Sequence, residues 1–282
     1  MGGREKTIGV LGGMGPLATV DFYAKLVRLT PARADQDHLR VIIDSNPKIP
    51  DRTAGLTGEG PDPTPALVAT ARGLERAGAD LIAIPCNSAH AYLPAIRSAV
   101  AIPVLDIMHE VAAAVAALTP RPRAVGLLAA PGTIRAGLYH RALAAHDIGV
   151  VDCSEEEERD VLGAIKAVKG GDLGPGVRQR AREVAAALIA RGAGAVVLGC
   201  TEIPLIVSPE QVSAPVFDGT EILAAAAVRD ALPAGAPLPP EYRLSPRRFC
   251  CQSLSHVIST PATPAREAGK YCADGSTSAR RP

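Results

Sequence analysis

The chain has 282 residues, 47% of them hydrophobic, enough to bury one large or two smaller globular cores, so a wholly disordered protein is excluded. Thirty Lys and Arg stand against 29 Asp and Glu, and the net charge of +1 gives no electrostatic ground for a nucleic-acid or acidic-membrane partner. A small-molecule role is expected instead.

The start "MGGREKTIGVLGG" has no long apolar core ahead of a cleavage site, and the Ala-rich runs 111–118 and 184–190 are too short to span a bilayer. The expectation is a cytoplasmic chain without a membrane segment. Its six cysteines (86, 153, 200, 250, 251 and 272) include no Cys-x-x-Cys, and in a reducing compartment any thiol function would use free thiols.

Taken in chain order, the apolar runs are "TIGVLGG" (7–13), "VIIDSN" (41–46), "LIAIPC" (81–86), "PVLDI" (103–107), "AVGLLAA" (124–130), "GVVDCS" (149–154), "AVVLGC" (195–200) and "PVFDG" (215–219). Short apolar strands separated by helix-length segments predict an α/β protein whose parallel sheet is covered on both faces. The runs also repeat. Leu74, Gly78, Ala79 and Cys86 recur 114 positions on as Leu188, Gly192, Ala193 and Cys200. "PVLD" (103–106) recurs 112 on as "PVFD" (215–218), and "IGVLGGMG" (8–15) parallels "VGLLAAPG" (125–132), 117 on. An internal duplication follows, giving two pseudo-symmetric, doubly wound parallel-sheet domains with the active site in the cleft between them. The expected extents are 5–106 and 107–215, with 216–240 packing back on the first domain and 241–282, rich in Pro, Ser, Thr and Arg, as a disordered tail.

Cys86 and Cys200 end equivalent strands, the edge where parallel sheets bind ligands, and each is expected to precede a helix N-terminus that would stabilise a thiolate. A single cysteine there reads best as a small buried hydrophobe. Two in matched halves, each followed by a hydrogen-bonding side chain, favour function. Like charges oppose double ionisation, so a facing pair holds one thiolate and one thiol. That state suits a two-base isomerisation, in which one sulfur takes a proton from one face of a carbon and the other returns one to the opposite face.

The segments "GVLGGMGPLATVDFYAKLV" (9–27), "DQDHLRV" (35–41), "SNPKIPDRT" (45–53), "GADLIAIPCNSAH" (78–90), "GTIRAGLY" (132–139) and "GAGAVVLGCTEIP" (192–204) resemble the cofactor-independent aspartate/glutamate racemase family, most closely its aspartate racemase branch, over about residues 7–232. The resemblance implies Cys86 and Cys200 as the acid/base pair, with Asn87, Ser88, Thr201 and Glu202 on the substrate's ammonium and α-carboxylate. Ser88 stands where the family more often has Thr. Arg52 matches the clamp for the side-chain carboxylate, a role its planar fork suits, and Lys169, with Lys166 close by, aligns with a second cation. The resemblance further implies a small dicarboxylic amino acid as substrate, no cofactor, and a homodimer. Aspartate against glutamate stays open, because one methylene shifts preference by only about 1–3 kcal/mol.

Rival readings attach to particular residues. Gly13-x-Gly15-x-x-Ala18 formally matches a dinucleotide fingerprint with Asp44 at the next strand's end, but Met14 and Pro16 crowd the turn and Asp44 lies 26 residues past Ala18. We read this turn as a cleft wall with Met14 and Thr19 near the ligand. "SEEEER" (154–159) reads as a capped first helical turn. The six histidines form no ligand cluster, so no metal is expected; His90 and His109 are read as local hydrogen-bonding groups and Cys153 as buried. The functional alternatives are a single-thiol isomerase or decarboxylase of a related dicarboxylic acid, a nucleotide-binding oxidoreductase, and a non-catalytic dicarboxylate binder.

Overall fold

A computed structural model describes residues 4–233; the tail expected over 241–282 lies outside them. The chain runs β1 (Ile8–Gly12), α1 (Pro16–Leu29), β2 (Val41–Ser45), α2 (Arg52–Thr57), α3 (Thr64–Arg76), β3 (Leu81–Ala83), α4 (Leu93–Ala99) and α5 (Ile107–Ala116). It continues through β4 (Ala124–Ala129), α6 (Pro131–Arg135), α7 (Leu138–Ala144), β5 (Gly149–Val151), α8 (Glu155–Lys169), α9 (Pro175–Ala190), β6 (Val196–Gly199), β7 (Val216–Asp218) and α10 (Gly219–Ala231). Two parallel sheets result, ordered β2-β1-β3 and β5-β4-β6-β7. In the first, Val104 forms a parallel bridge to Ile82, where β7 pairs with β6 in the second. The fold is α/β, as the apolar runs predict. All five residues of β1 are buried, which follows from helices on both faces of a parallel sheet.

The duplication extends to side-chain packing. A Cβ on Gly9 would meet Ala79 and Leu74; a Cβ on Gly126 would meet Leu188 and Ala193, the duplicate pair. Glycine at both strand positions lets the following helix lie close on its sheet. Gly78 and Gly192 turn their chains into β3 and β6 with φ of +93° and +100°, a left-handed conformation that favours glycine.

Caps place the helices. Ser154 Oγ accepts from Glu157 N while Glu157 returns to Ser154 N at 2.7 Å, so "SEEEER" is the capping box of α8. Asp106 caps α5 and Asp218 caps α10. These two helices cross over. α10 packs on α1 and β3 of the first sheet's layer, whereas α5 packs on α7 and β7 of the second and on α10 itself. Phe22, Leu26, Val111, Leu127, Tyr139 and Leu223 therefore belong to one continuous apolar core. Within it Lys25 of α1 reaches Asp21 and Asp218, both at 2.6 Å. Burial alone would disfavour the ammonium, but the two carboxylates hold its pKa above the ordinary lysine value. No helix among the described residues is long and apolar enough to cross a membrane.

Candidate active site

The carboxyl ends of both sheets open into one cleft lined by Met14, Asp51, Arg52, Thr53, Cys86, Asn87, Ser88, Ala130, Thr133, Lys169, Cys200, Thr201 and Glu202. All nine residues singled out from the sequence are in this lining. The cleft holds about 20 Å³ accessible to water, close to the space of a single water molecule. Admitting an amino acid therefore requires its walls to part.

Each wall is built locally. Gly13, at φ +87°, turns the chain out of β1, and a Cβ there would strike the Asn46 backbone at 2.4 Å. Thr19 stands behind this turn, its Oγ1 accepting from Gly13 N and donating to Gly15 O. This corrects the expectation of Thr19 beside the ligand: its hydroxyl is spent on the turn, and Met14 alone of the two lines the cleft. A Cβ on Gly15 would lie 3.2 Å from Glu202 Oε1, so a carboxylate closes over the turn where a pyrophosphate would have to sit. Asp44 is exposed on β2. Both facts oppose the dinucleotide reading.

Arg52 opens α2 behind its Asp51 cap, and it is buried rather than exposed on a loop. Its Nη1 donates to the Ile49 and Pro50 carbonyls, fixing the guanidinium and leaving Nε without a partner. Lys169 ends α8. As a residue it is exposed, yet its charged end reaches the cleft: burial opposes the charge, while Glu202, Cys200 and Cys86 together raise its pKa above the usual lysine value. Lys166 is not among the lining residues.

The two thiols differ. Cys86 Sγ lies 3.7 Å from Ser88 Oγ, and its carbonyl is 2.9 Å from His90 Nδ1. Ile107 N donates to His90 Nε2, so His90 is a neutral bridge with the proton on Nδ1; burial pushes its pKa down. Cys200 Sγ donates to Glu202 Oε2 at 2.9 Å. Its thiol is raised well above the ordinary value, by burial first and by the Glu202 carboxylate next, with Lys169 pulling the other way. Neither cysteine sits on an α-helix N-terminus. Cys86 is followed by a 3-10 turn (Ser88–Tyr92) and Cys200 by another of three residues (Ile203–Leu205), too short to sum a macrodipole. The expected helix-dipole activation is thus replaced by side-chain chemistry. Cys153 is half-buried rather than buried; it donates to Leu127 O, and burial with Glu157 pushes it up to about 12.

Among the described residues seven buried side-chain polar atoms lack a partner, and four of them belong to the cleft: Arg52 Nε, Asn87 Nδ2, Thr133 Oγ1 and Glu202 Oε1. Leaving such groups unsatisfied is costly, so the cleft is arranged for a ligand carrying both acceptors and donors. Thr133, on α6, was not assigned from the sequence. Its only signal was a place in the motif "GTIRAGLY".

Fold and cleft define a two-sheet α/β protein with a small, polar, thiol-bearing ligand site. The model of the Asp/Glu/hydantoin racemase family matches residues 11–227, and the chain belongs to that family. It is an isomerase of the amino-acid racemase kind. It is similar to the broad specificity amino-acid racemase RacX of Bacillus subtilis (strain 168), 28% identical over 229 residues, 78% of this chain and 96% of the relative. The aspartate racemase of Picrophilus torridus superposes with a TM-score of 0.75 at 32% identity, covering 85% of this chain and 98% of that one. A Francisella tularensis glutamate racemase, at 20% identity and TM-score 0.58 over 79% of each chain, shares the fold.

Proposed function

We propose that this racemase interconverts the L and D forms of an acidic amino acid, aspartate first and glutamate as its nearest competitor, by two-base proton transfer between Cys86 and Cys200. One observation carries the reading: thiols from equivalent strand ends of the duplicated halves line one cleft together with two cations, Arg52 and Lys169. A dicarboxylic amino acid brings two carboxylates and one ammonium, which the two cations and the Glu202 carboxylate can match.

The chemistry follows from the proton inventory. Cys200 carries its proton, held by Glu202. For one enantiomer the Cys86 thiolate takes the α-proton while the Cys200 thiol delivers its own to the opposite face, leaving Cys86 protonated and Cys200 ionised. The other enantiomer runs the same two transfers backwards, so the form of the enzyme that one substrate consumes the other restores. Lys169, close enough to lower the Cys200 pKa, offsets the charge left there. Exclusion of water from so narrow a cleft strengthens each of these interactions.

The test is incubation under reducing conditions with L-aspartate, L-glutamate and L-alanine separately in heavy water, following α-proton loss by NMR and chirality by chiral chromatography. Exchange with inversion on aspartate, slower on glutamate and slowest on alanine, is expected. Equal rates on alanine would remove the acidic specificity, and no exchange on any substrate would sink the reading.

A further inference from the structure

Tyr139 lies fully buried on α7, and neither proton transfer uses it. Its ring occupies space that two glycines vacate: a Cβ on Gly199 would be 3.0 Å from Tyr139 Cε2, and one on Gly219 would be 3.2 Å from its hydroxyl. Gly199 directly precedes Cys200. The hydroxyl meets Asn87 Oδ1 at 2.6 Å, directly after Cys86. One side chain therefore touches both cysteine loops from the core side.

The contact also orients the amide. A separation of 2.6 Å is ordinary for O–H···O and short for N–H···O, so the phenol donates to Oδ1 and Nδ2 is turned away from it. That Nδ2 is buried and has no partner, in a residue that lines the cleft. Burial keeps the phenol a donor by raising its pKa above the usual tyrosine value.

Building on the racemase reading, we propose that Tyr139 is a positioning residue. Its hydroxyl fixes the Asn87 amide so that Nδ2 donates to a carboxylate oxygen of the amino-acid substrate, and its ring keeps the Cys86 and Cys200 loops in register. Tyr139 itself touches no reacting atom. Its effect is expected in substrate affinity, through Asn87.

The experiment compares wild type, Tyr139→Phe, Asn87→Ala and the double variant for kcat and KM of aspartate racemisation, with thermal melting alongside. Tyr139→Phe keeps the ring and should raise KM about tenfold, the scale of one buried hydrogen bond, with kcat changed less than about threefold. On the Asn87→Ala background the same change should add nothing. Unaltered KM in Tyr139→Phe, or additive effects in the double variant, would overturn the proposal. Should Tyr139→Phe fail to fold, Asn87→Asp decides: it accepts from Tyr139 but lacks the donor, so its KM must rise, and an unchanged KM overturns the proposal. Calorimetry with aspartate separates this from the racemase reading. If wild type exchanges no α-proton, that reading falls, whereas weaker aspartate binding by Tyr139→Phe still upholds the positioning role and equal binding refutes it.

Discussion

The loops after β3 and β6 descend from one repeated segment and hold their cysteines at equivalent strand ends, yet they surround them differently. Cys86 has a hydroxyl neighbour, Ser88, and a neutral histidine on its carbonyl. Cys200 has a carboxylate at 2.9 Å. The same contrast recurs one strand further. Asp106 caps α5, whereas Asp218 caps α10 and in addition holds the buried Lys25. Duplication copies backbone and packing, as Gly9 and Gly126 show; electrostatics diverge where each copy faces a different neighbour. A two-base racemisation needs that asymmetry, because the two sulfurs must hold different protonation states at any moment.

The harshest break is removal of either sulfur. Cys86→Ala and Cys200→Ala should each lower racemisation by about 10³-fold or more, in the range for losing a general acid or base; a variant keeping the wild-type rate would point to single-thiol chemistry. Next in size is stability. Asp218→Ala removes a cap and half of the partners of a buried ammonium, about 3 kcal/mol or more, whereas Asp106→Ala removes a cap worth about 1 kcal/mol. Urea unfolding of both variants checks the inequality, and equal losses would refute the role given to Lys25.

Glu202→Gln gives the subtlest shift. The carboxylate raises the Cys200 pKa, and the reaction direction that uses Cys200 as acid is fully active only below that pKa. Replacing the anion by a neutral amide lowers it, so the alkaline limb of kcat/KM for that direction should move to lower pH. A limb that stays in place would remove Glu202 as the group holding the proton.

Much of this was legible in the sequence, for reasons that can be assigned. Both sheets announce themselves because strands buried on two faces read as unbroken apolar runs, and the repeated Leu-Gly-Ala-Cys spacing exposes the duplication. The cysteines stand out because a thiol at two matched strand ends has no common packing explanation. What followed the cysteines was not legible. Ile203 and Pro204 bend the chain into a single 3-10 turn, and the sequence looks the same whether a longer helix follows or not. Thr19 was read as a ligand contact because it stands near the glycine turn, but a hydroxyl four residues beyond Gly15 finds that carbonyl first. Thr133 escaped because a buried threonine at the start of a short helix carries no distinctive pattern; only the unpaired Oγ1 beside the cleft marks it. Arg52 shows the reverse case, a residue whose Pro-flanked setting resembled an exposed loop and whose guanidinium is buried against two carbonyls.

The crossing of α5 and α10 has a consequence in time. Phe22 and Leu26 of α1 share their core with Leu223 and Ala227 of α10, so the first sheet's layer stays uncovered on that side until the last described helix has been synthesised. At about 5–20 residues per second, the nearly 200 residues between them take roughly 10–40 s on the ribosome. For that interval the nascent chain exposes an apolar face that the finished protein hides, and a translation pause placed before α10 would lengthen its exposure to chaperones and to aggregation.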